Sequence, residues 1–200
     1  ATGLPLGVLA ALKRGSLFDT AATSISVIGY VIPNFWLGIL LIILFAVILG
    51  WLPSSGYDSW KHFILPTITG GTTTTAVLAR YARSGMLEVL AQDYIRTARS
   101  KGLSEFRVVV FHALRGGLIP VVSFLGPAIA GLLAGSFVVE TIFGIPGLGR
   151  FYVQAAFNRD YTMILGTSIF FSALIIVFNL IADLIGAAMD PRVRESYSDE

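Results

Sequence analysis

VIGYVIPNFWLGILLIILFAVILG, residues 27–50, is a run of 24 residues without a charged side chain. At about 1.5 Å per residue, a helix of this length exceeds the roughly 30 Å of hydrocarbon in a bilayer. Two further apolar runs, 117–139 and 162–189, are of similar length. A fourth run, 63–90, is rich in glycine and threonine at its start and amphipathic towards its end. The pattern predicts an all-α transmembrane bundle with four full spans.

The composition of the whole chain supports this class. Of the 200 residues, 55% are hydrophobic and 13% are charged, whereas soluble domains have about 45–50% apolar and about 25% charged residues. The net charge of +2 gives no reason to expect a nucleic-acid partner. The absence of cysteine excludes disulfides and thiolate metal sites.

The first residues, ATGLPLGVLAALKRG, do not have the order of a signal peptide, because their basic cluster follows the apolar run. They are more typical of the end of a membrane helix. We therefore expect one transmembrane domain over residues 1–200 that begins with the tail of a further span and lacks the rest of it.

Lysine and arginine are distributed unevenly between the two sides of the predicted bundle. Eleven of the 14 lie in the 13–26 loop, the 80–116 region and the C-terminal tail. Because such residues concentrate in cytoplasmic loops, these segments are predicted to be cytoplasmic, and 51–62 and 140–161 to face outward. The cytoplasmic group contains Lys13, Arg14, Arg80, Arg83, Arg96, Arg99, Lys101, Arg107, Arg115, Arg192 and Arg194, and the outward group Lys61, Arg150 and Arg159.

The most charged stretch, DYIRTARSKGLSEFRVVVFHALRGGLIP (93–120), predicts a cytoplasmic helical hairpin. In its first part Ile95 and Ala98 share a helix face. Arg99 and Lys101 followed by Gly102 are typical of a helix end, where cations and a residue free to adopt positive φ are favoured. In the second part Ser104 is a candidate N-cap with Glu105 in the first turn. Its apolar face is predicted to comprise Phe106, Val109, Val110, Ala113 and Leu114.

Two interpretations of this hairpin are open on physical grounds. It can be a connection whose arginines lie beside anionic lipid headgroups. It can also be a docking element, since a short amphipathic helix can insert into the groove of a soluble partner.

The same stretch resembles the coupling loop of ABC-importer permeases for oligopeptides, dipeptides, nickel and glutathione. The general signature is Glu-Ala-Ala, three residues, glycine and a later Ile-x-Leu-Pro; here Arg96-Thr97-Ala98 stands at the first three positions, with Gly102 and Pro120 following. YIRTARSKGLSE is similar to the peptide-type branch. RSGMLEVL, ETIFGIPGLGR, NRDY and DPRVR agree in order along nearly the whole chain.

The resemblance implies a helical bundle of the type I ABC importer permease kind in the cytoplasmic membrane of a bacterium or archaeon. The chain would pair with a second related permease, two cytoplasmic ATPases and an extracytoplasmic binding protein, and would form half of a path for peptides. Nickel or glutathione remain alternative cargoes. ATP and Mg²⁺ would bind the partners, because this chain lacks G-x-x-x-x-G-K-[ST] and is expected not to be an enzyme.

The resemblance also implies roles for two groups of residues. In the coupling loop, about residues 89–116, ATPase contact is expected of Arg96, Thr97, Ala98, Lys101, Gly102, Leu103 and Glu105. At the external mouth, contact with the binding protein is expected of Glu140, Pro146, Gly147 and Arg150. The alternative there is an interfacial loop anchored by Phe143 and Phe151 at the headgroups.

Polar residues within the predicted spans are candidates for the translocation path, since such residues usually face the bundle or a water-filled cavity. They are Asn34, Ser123 and Asn179. For Thr72 to Thr75 we favour packing or backbone hydrogen bonding. Asp183 lies near the inner end of its span. His62 and His112 are isolated in the sequence, so no metal site is expected.

Two other classes are weighed against this one. A secondary transporter or channel would need coupling charges within the spans, and Asp183 is the only candidate. An intramembrane enzyme would need a catalytic motif such as His-Glu-x-x-His or G-x-S-x-G, and neither occurs.

Overall fold

The computed structural model describes residues 2–133 and 136–189. Within these ranges the chain is helical and has no β-strand, which confirms the predicted all-α fold. The predicted cytoplasmic C-terminal tail, with Arg192 and Arg194, lies outside the described residues.

The chain begins with two helices joined by a short turn. α1 comprises Gly3–Leu12 and α2 comprises Leu17–Val31. The Ser16 hydroxyl accepts a hydrogen bond of 3.2 Å from the amide of Asp19, which caps the start of α2. The prediction of a loop over 13–26 is therefore wrong, because a capped helix begins inside that segment.

A proline divides the apolar run at 27–50. α2 stops at Val31, α3 (Asn34–Leu41) begins after Pro33, and α3 continues as a π-helix over Ile42–Ile48. The two helical arms are bent by 101°. Proline lacks an amide hydrogen and disfavours helical backbone at the residue before it. Residues 27–50 are therefore not one continuous helix, and that they cross the bilayer stays a prediction.

The helix predicted over 63–90 is present. A 3₁₀ turn (Trp60–Phe63) leads into α4 (Ile64–Leu90), which has 27 residues. The hydroxyls of Thr69 and Thr72 donate to carbonyl oxygens four residues earlier in the same helix, at 2.8 and 2.5 Å. These bonds satisfy the threonine hydroxyls inside an apolar helix, as predicted for Thr72.

The hairpin consists of two arms. The first is α5 (Asp93–Ser100). The second runs from α6 (Glu105–Arg107) through a π-helix at Val108–Ala113 to α7 (Leu114–Gly117). A bend of 52° separates this second arm from the next helix.

Four helices complete the described chain: α8 (Ile119–Leu133), α9 (Phe137–Phe143), α10 (Leu148–Asn158) and α11 (Tyr161–Met189). The helix predicted over 162–189 is confirmed. The run 117–139 is not one continuous helix, because the chain bends before α8 and α9 begins anew at Phe137. Turn chemistry in the outward segment did not predict α10.

One described helix, Tyr161–Ala188, is by itself long and apolar enough to cross a membrane. Two pairs of helices are bent at a break, one pair at Pro33 and the other at Leu118. If each pair is a single broken span, the number of helices that could cross a membrane rises to three. α4 is long enough, but its threonines and charged residues lower its hydropathy. That α4 crosses the bilayer, and that the chain has four full spans, stay predictions.

The contacts divide the chain into two compact units. The first contains the chain up to Val27, Thr75–Gly126 and the residues from Asn179 onward, and the second contains Ile28–Thr74 and Pro127–Phe178. That residues 1–200 act as one domain stays a prediction. The core of the first unit is Val8, Ala11, Ala82, Met86, Ile95, Ala98, Val108, Val109, Ala113 and Val121. The core of the second is centred on Leu65, Val139 and Phe143.

Candidate functional site

The turn of the hairpin is a Schellman motif, the helix end that glycine favours. Gly102 has φ of +78°, its amide donates to the Arg99 carbonyl at 2.9 Å, and the Leu103 amide donates to the Ala98 carbonyl at 3.4 Å. A side chain at Gly102 would strain the backbone, because L-residues rarely adopt positive φ. The predicted role of Gly102 as the turn residue is confirmed.

An ion pair connects the two arms across this turn. Arg99 donates through Nε and Nη2 to the two carboxylate oxygens of Glu105, at 2.8 and 3.3 Å. An exposed pair contributes little stability by itself, but two parallel hydrogen bonds restrict the angle between the groups that they join. The Glu105 carboxylate therefore braces the turn.

The second arm differs from the predicted helix in its start and in its buried face. Ser104 stands at the N-cap, but its hydroxyl makes no capping hydrogen bond. The π-helix places Val108, Val109 and Ala113 in the core, whereas Phe106 is 72% exposed. A π turn has more residues than an α turn, so residues four and five apart share its face. The predicted apolar face is confirmed for Val109 and Ala113 and wrong for Phe106.

The hairpin packs tightly on the last turns of α4. Met86 is fully buried, and a Cβ at Gly117 would lie 3.1 Å from the Met86 Cα. A Cβ at Gly85 would overlap the carbonyl oxygen of Gly117. Glycine at both positions allows the two backbones to approach closely. The hairpin and the end of α4 therefore share one core.

The seven predicted coupling residues divide by exposure. Arg96, Thr97 and Lys101 are exposed, as are Gly102 and Glu105 at the turn. Ala98 is 7% exposed and lies in the core, and Leu103 packs partly buried against it. The Ala98 side chain is therefore part of the core on which α5 packs, and it is not on the exposed face of that helix.

In the second unit, the candidate mouth residues form a compact loop around Glu140. Its side chain is 8% exposed, and Oε2 accepts a hydrogen bond of 2.7 Å from the backbone amide of Arg150, in the first turn of α10. A Cβ at Gly147 would overlap the carboxylate. The carboxylate is thus engaged within its own loop, while Pro146 and the Arg150 side chain are exposed.

The two residues that the alternative interpretation places at the headgroups, Phe143 and Phe151, differ in their exposure. Phe143 is 1% exposed and lies in the core of the second unit, so its predicted place at the headgroups is wrong. Phe151 is 45% exposed. Phe143 is buried and Phe151 is exposed because α9 ends after Phe143, at Gly144, where the chain turns with φ of +65°.

The candidate path residues differ in their local surroundings. Asn34 Oδ1 accepts a hydrogen bond of 2.9 Å from the Thr73 hydroxyl. Ser123 is exposed and donates to the Ile119 carbonyl at 3.2 Å. Asn179 Oδ1 is buried and has no hydrogen-bond partner among the described residues. Asp183 is exposed on α11.

The histidines do not form a metal site. His62 Nδ1 lies 3.0 Å from the Ser59 hydroxyl and stabilises the turn before α4, and His112 is exposed. Across residues 2–133 and 136–189, no three His, Cys, Asp or Glu side chains cluster as a metal site would require.

Sequence reasoning missed an ion pair in the first unit. Arg83 of α4 binds Asp19 of α2 through Nε and Nη2, at 2.5 and 2.8 Å. Arg83 was counted only as a cytoplasmic cation. A signal was present, since Ser16-x-x-Asp19 has capping-box spacing, but nothing in the sequence names a partner 64 residues away.

A close helix contact was also missed. Gly3 and Gly7 of α1 lie against the carbonyl groups of Thr75 and Ala79 of α4, where a Cβ on either glycine would overlap a carbonyl oxygen. Their spacing, Gly-x-x-x-Gly, is the pattern that lets membrane helices approach closely. The spacing was readable in the sequence.

Comparison with solved structures shows the fold of the chain. The chain is similar to a chain of the MetNI methionine ABC transporter in an inward-facing conformation, with a TM-score of 0.72 and 22% sequence identity. The similarity covers 94% of this chain and 86% of the other. At this identity the likeness shows the fold alone, which is the helical fold of an ABC-importer permease.

Residues 3–195 match the family of binding-protein-dependent transport system inner membrane components, and the chain belongs to that family. It is similar to the dipeptide transport system permease protein of Bacillus subtilis (strain 168), with 48% identity over 193 residues, covering 96% of this chain and 63% of the relative. It is also similar to the glutathione transport system permease protein of Escherichia coli (strain K12), with 46% identity over 192 residues and coverage of 96% and 63%.

A third relative is the oligopeptide transport system permease protein of Bacillus subtilis (strain 168), 46% identical over 200 residues, with coverage of 95% and 63%. The chain spans less than two thirds of the length of these curated relatives. The predicted resemblance to peptide-type permeases is confirmed.

Proposed function

We propose that this chain forms half of the translocation path of an ATP-driven importer, paired with a second related permease. Two cytoplasmic ATPases would bind the hairpins of the pair, and an extracytoplasmic binding protein would deliver the cargo. Family membership supports this assignment. ATP and docked binding protein would then favour the same conformation of the permease pair, since a ligand shifts an equilibrium only by preferring one state.

The observation that carries the proposal is the division of the hairpin into an anchored face and an accessible face. Ile95 and Ala98 are buried in the core that includes Met86 of α4. Arg96 and Lys101 are exposed beside them. A packed core transmits displacement because it has little free volume. A partner that binds the accessible face and displaces it would therefore move α4 together with the hairpin.

The charge of the accessible face is suited to a soluble partner with acidic residues. Arg96 has an exposed side chain, and its Asp93 neighbour lies 3.5 Å away with 96% of its side chain exposed. Such an exposed pair is weak, so Arg96 is available for a stronger contact. The hydrolytic site, with ATP and Mg²⁺, is assigned to the ATPase partners.

Peptides are the proposed cargo. The relatives described above are named for dipeptide, oligopeptide and glutathione transport. Glutathione is itself a tripeptide, so these names share one chemical class. The loop around Glu140, in which Pro146 and Arg150 are exposed, is the proposed contact for the binding protein that carries this cargo.

Charge reversal on the hairpin tests the docking role. We expect the double variant Arg96→Glu and Lys101→Glu to lower co-purification of the ATPase subunits by roughly tenfold, about 1.4 kcal/mol, because both cations face the proposed partner. The matched control, Lys61→Glu with Arg159→Glu, reverses two exposed cations of the predicted outward side and should leave co-purification unchanged. Equal recovery from both double variants would reject docking at this face.

Transport by the reconstituted complex tests the cargo. We expect a labelled dipeptide to accumulate in vesicles in the presence of ATP, and excess unlabelled dipeptide to abolish the uptake. Uptake of glutathione that dipeptides do not compete with would assign the chain to the glutathione branch.

A further inference from the structure

The ion pair between Asp19 and Arg83 is held by several hydrogen bonds in the first unit. Asp19 is 4% exposed, and its two carboxylate oxygens each accept one guanidinium hydrogen bond. The amide of Gly15 donates a third bond, of 3.0 Å, to Oδ2. Two parallel bonds from a planar guanidinium fix both distance and orientation. The pair therefore joins the first turn of α2 to α4 in one geometry.

On the α4 side, the pair is connected to the hairpin by adjacent core residues. Ala82 precedes Arg83, Met86 follows it by one turn, and both are fully buried. They belong to the same core cluster as Ile95 and Val108 of the hairpin. A displacement of the hairpin must therefore carry the segment of α4 that holds Arg83.

On the α2 side, few other side chains are buried. The buried residues of α2 are Asp19, Ala22 and Ser26. Ser26 donates to its own helix, to the Ala22 carbonyl at 2.8 Å. Small side chains such as these let helices approach closely but supply no charged hydrogen bond between them. The guanidinium–carboxylate pair is a directional contact between α2 and α4.

We infer that the Asp19–Arg83 pair is the link that transfers hairpin movement to α2, and that both residues position the permease for transport without touching cargo. The inference rests on the proposed docking of ATPases at the hairpin. It assigns a coupling role to two residues outside the hairpin itself. Loss of the pair should uncouple ATP hydrolysis from uptake while leaving the ATPases bound.

The test compares Asp19→Asn, Arg83→Lys and the exchanged pair Asp19→Arg with Arg83→Asp in the reconstituted complex. The readout is the amount of cargo taken up per ATP hydrolysed, normalised to assembled complex. We expect Asp19→Asn to lower this ratio by roughly 2- to 30-fold, the usual range for residues that carry coupling. Arg83→Lys keeps the charge but loses the planar fork, so its ratio should be intermediate.

The exchanged pair should recover part of the ratio, because the attraction is restored although the Gly15 bond is lost. A merely structural role would lower the yield of complex in all variants and leave the ratio unchanged. Asp58→Asn, an exposed acid in the second unit, is the matched control and should behave as the unmodified protein.

An unchanged ratio in both single variants would overturn the inference, as would a lowered ratio that the exchanged pair does not improve at all. If the unmodified protein recovers no ATPase, the proposed function has failed, which is a different result from a complex that assembles and remains fully coupled without the pair.

Discussion

Two buried carboxylates among the described residues, Asp19 in the first unit and Glu140 in the second, are stabilised in different ways. Asp19 binds a guanidinium from a helix 64 residues away in sequence. Glu140 accepts a backbone amide only ten residues away, at the start of α10. A helix start carries unpaired amide groups and a partial positive charge, so it can stabilise a carboxylate without a cation. One carboxylate joins distant helices, and the other closes a local loop.

This difference has a consequence for the neighbouring residues. A guanidinium has its own long side chain, so α4 needs no glycine where it contacts Asp19, although Gly15, with φ of +75°, donates its amide to the same carboxylate. Glu140 must approach the backbone of α10 itself, and it does so beside Gly147 and Gly149, where a Cβ would lie on or near the carboxylate. The contact within the loop therefore depends on close approach at glycine, and the contact between distant helices depends mainly on charge.

Gly147→Ala is the most severe test of this contrast. The new Cβ would overlap the Glu140 carboxylate, and overpacking of this kind costs about 1–3 kcal/mol. The thermal unfolding midpoint of the purified protein in detergent, followed by intrinsic fluorescence, should fall clearly. Gly166→Ala is the control, since nothing lies within 4 Å of its Cβ position. A midpoint as high as that of the control would contradict the described loop.

Glu140→Gln should have a smaller effect. The amide oxygen can still accept the Arg150 N–H, so only the extra strength of a charged acceptor is lost, about 1 kcal/mol. Asp19→Asn should lower the midpoint more than Glu140→Gln does, because it leaves the Arg83 guanidinium without its carboxylate. Thermal unfolding of the two single variants side by side measures this order. The reverse order would show that the backbone amide, rather than the guanidinium, is the stronger partner.

Arg159→Gly should give the smallest change, and it should be stabilising. Arg159 ends α10, the helix whose start holds Glu140, with φ of +58°. An L-residue in this conformation costs about 1 kcal/mol relative to glycine, although added freedom of the unfolded chain offsets part of the gain. The midpoint should rise slightly while the loop around Glu140 keeps its protection in hydrogen exchange. A lower midpoint would indicate that the arginine side chain has a stabilising contact.

Short-range features of the candidate site were predictable. The Schellman turn at Gly102 follows from cations, glycine and polar residues in adjacent positions, and such turns depend on local backbone preferences. That Ile95 and Ala98 share one face of a helix follows from their spacing. The membrane class follows from the long apolar runs, because a helix that crosses a bilayer needs about 20 consecutive apolar residues.

Features that depend on contacts between distant residues were not predictable. The π-helix at Val108–Ala113 brings Val108 into the core and leaves Phe106 exposed, and no residue type in it predicts this change. Residues near Pro33 also allowed two outcomes, a kinked span or two separate arms. Packing decides between such alternatives, since local energies differ by less than the free energy of burying a side chain.

By itself, the amino-acid sequence determined the helical class, the position of the hairpin and its glycine turn, because these depend on hydropathy and on preferences within a few residues. Only the tertiary structure decided that Ala98 faces inward, that Arg99 binds Glu105 and that Arg83 binds Asp19. An arginine has several carboxylates within reach of its flexible side chain during folding. The partner it keeps is the one that the packed helices bring to hydrogen-bonding distance.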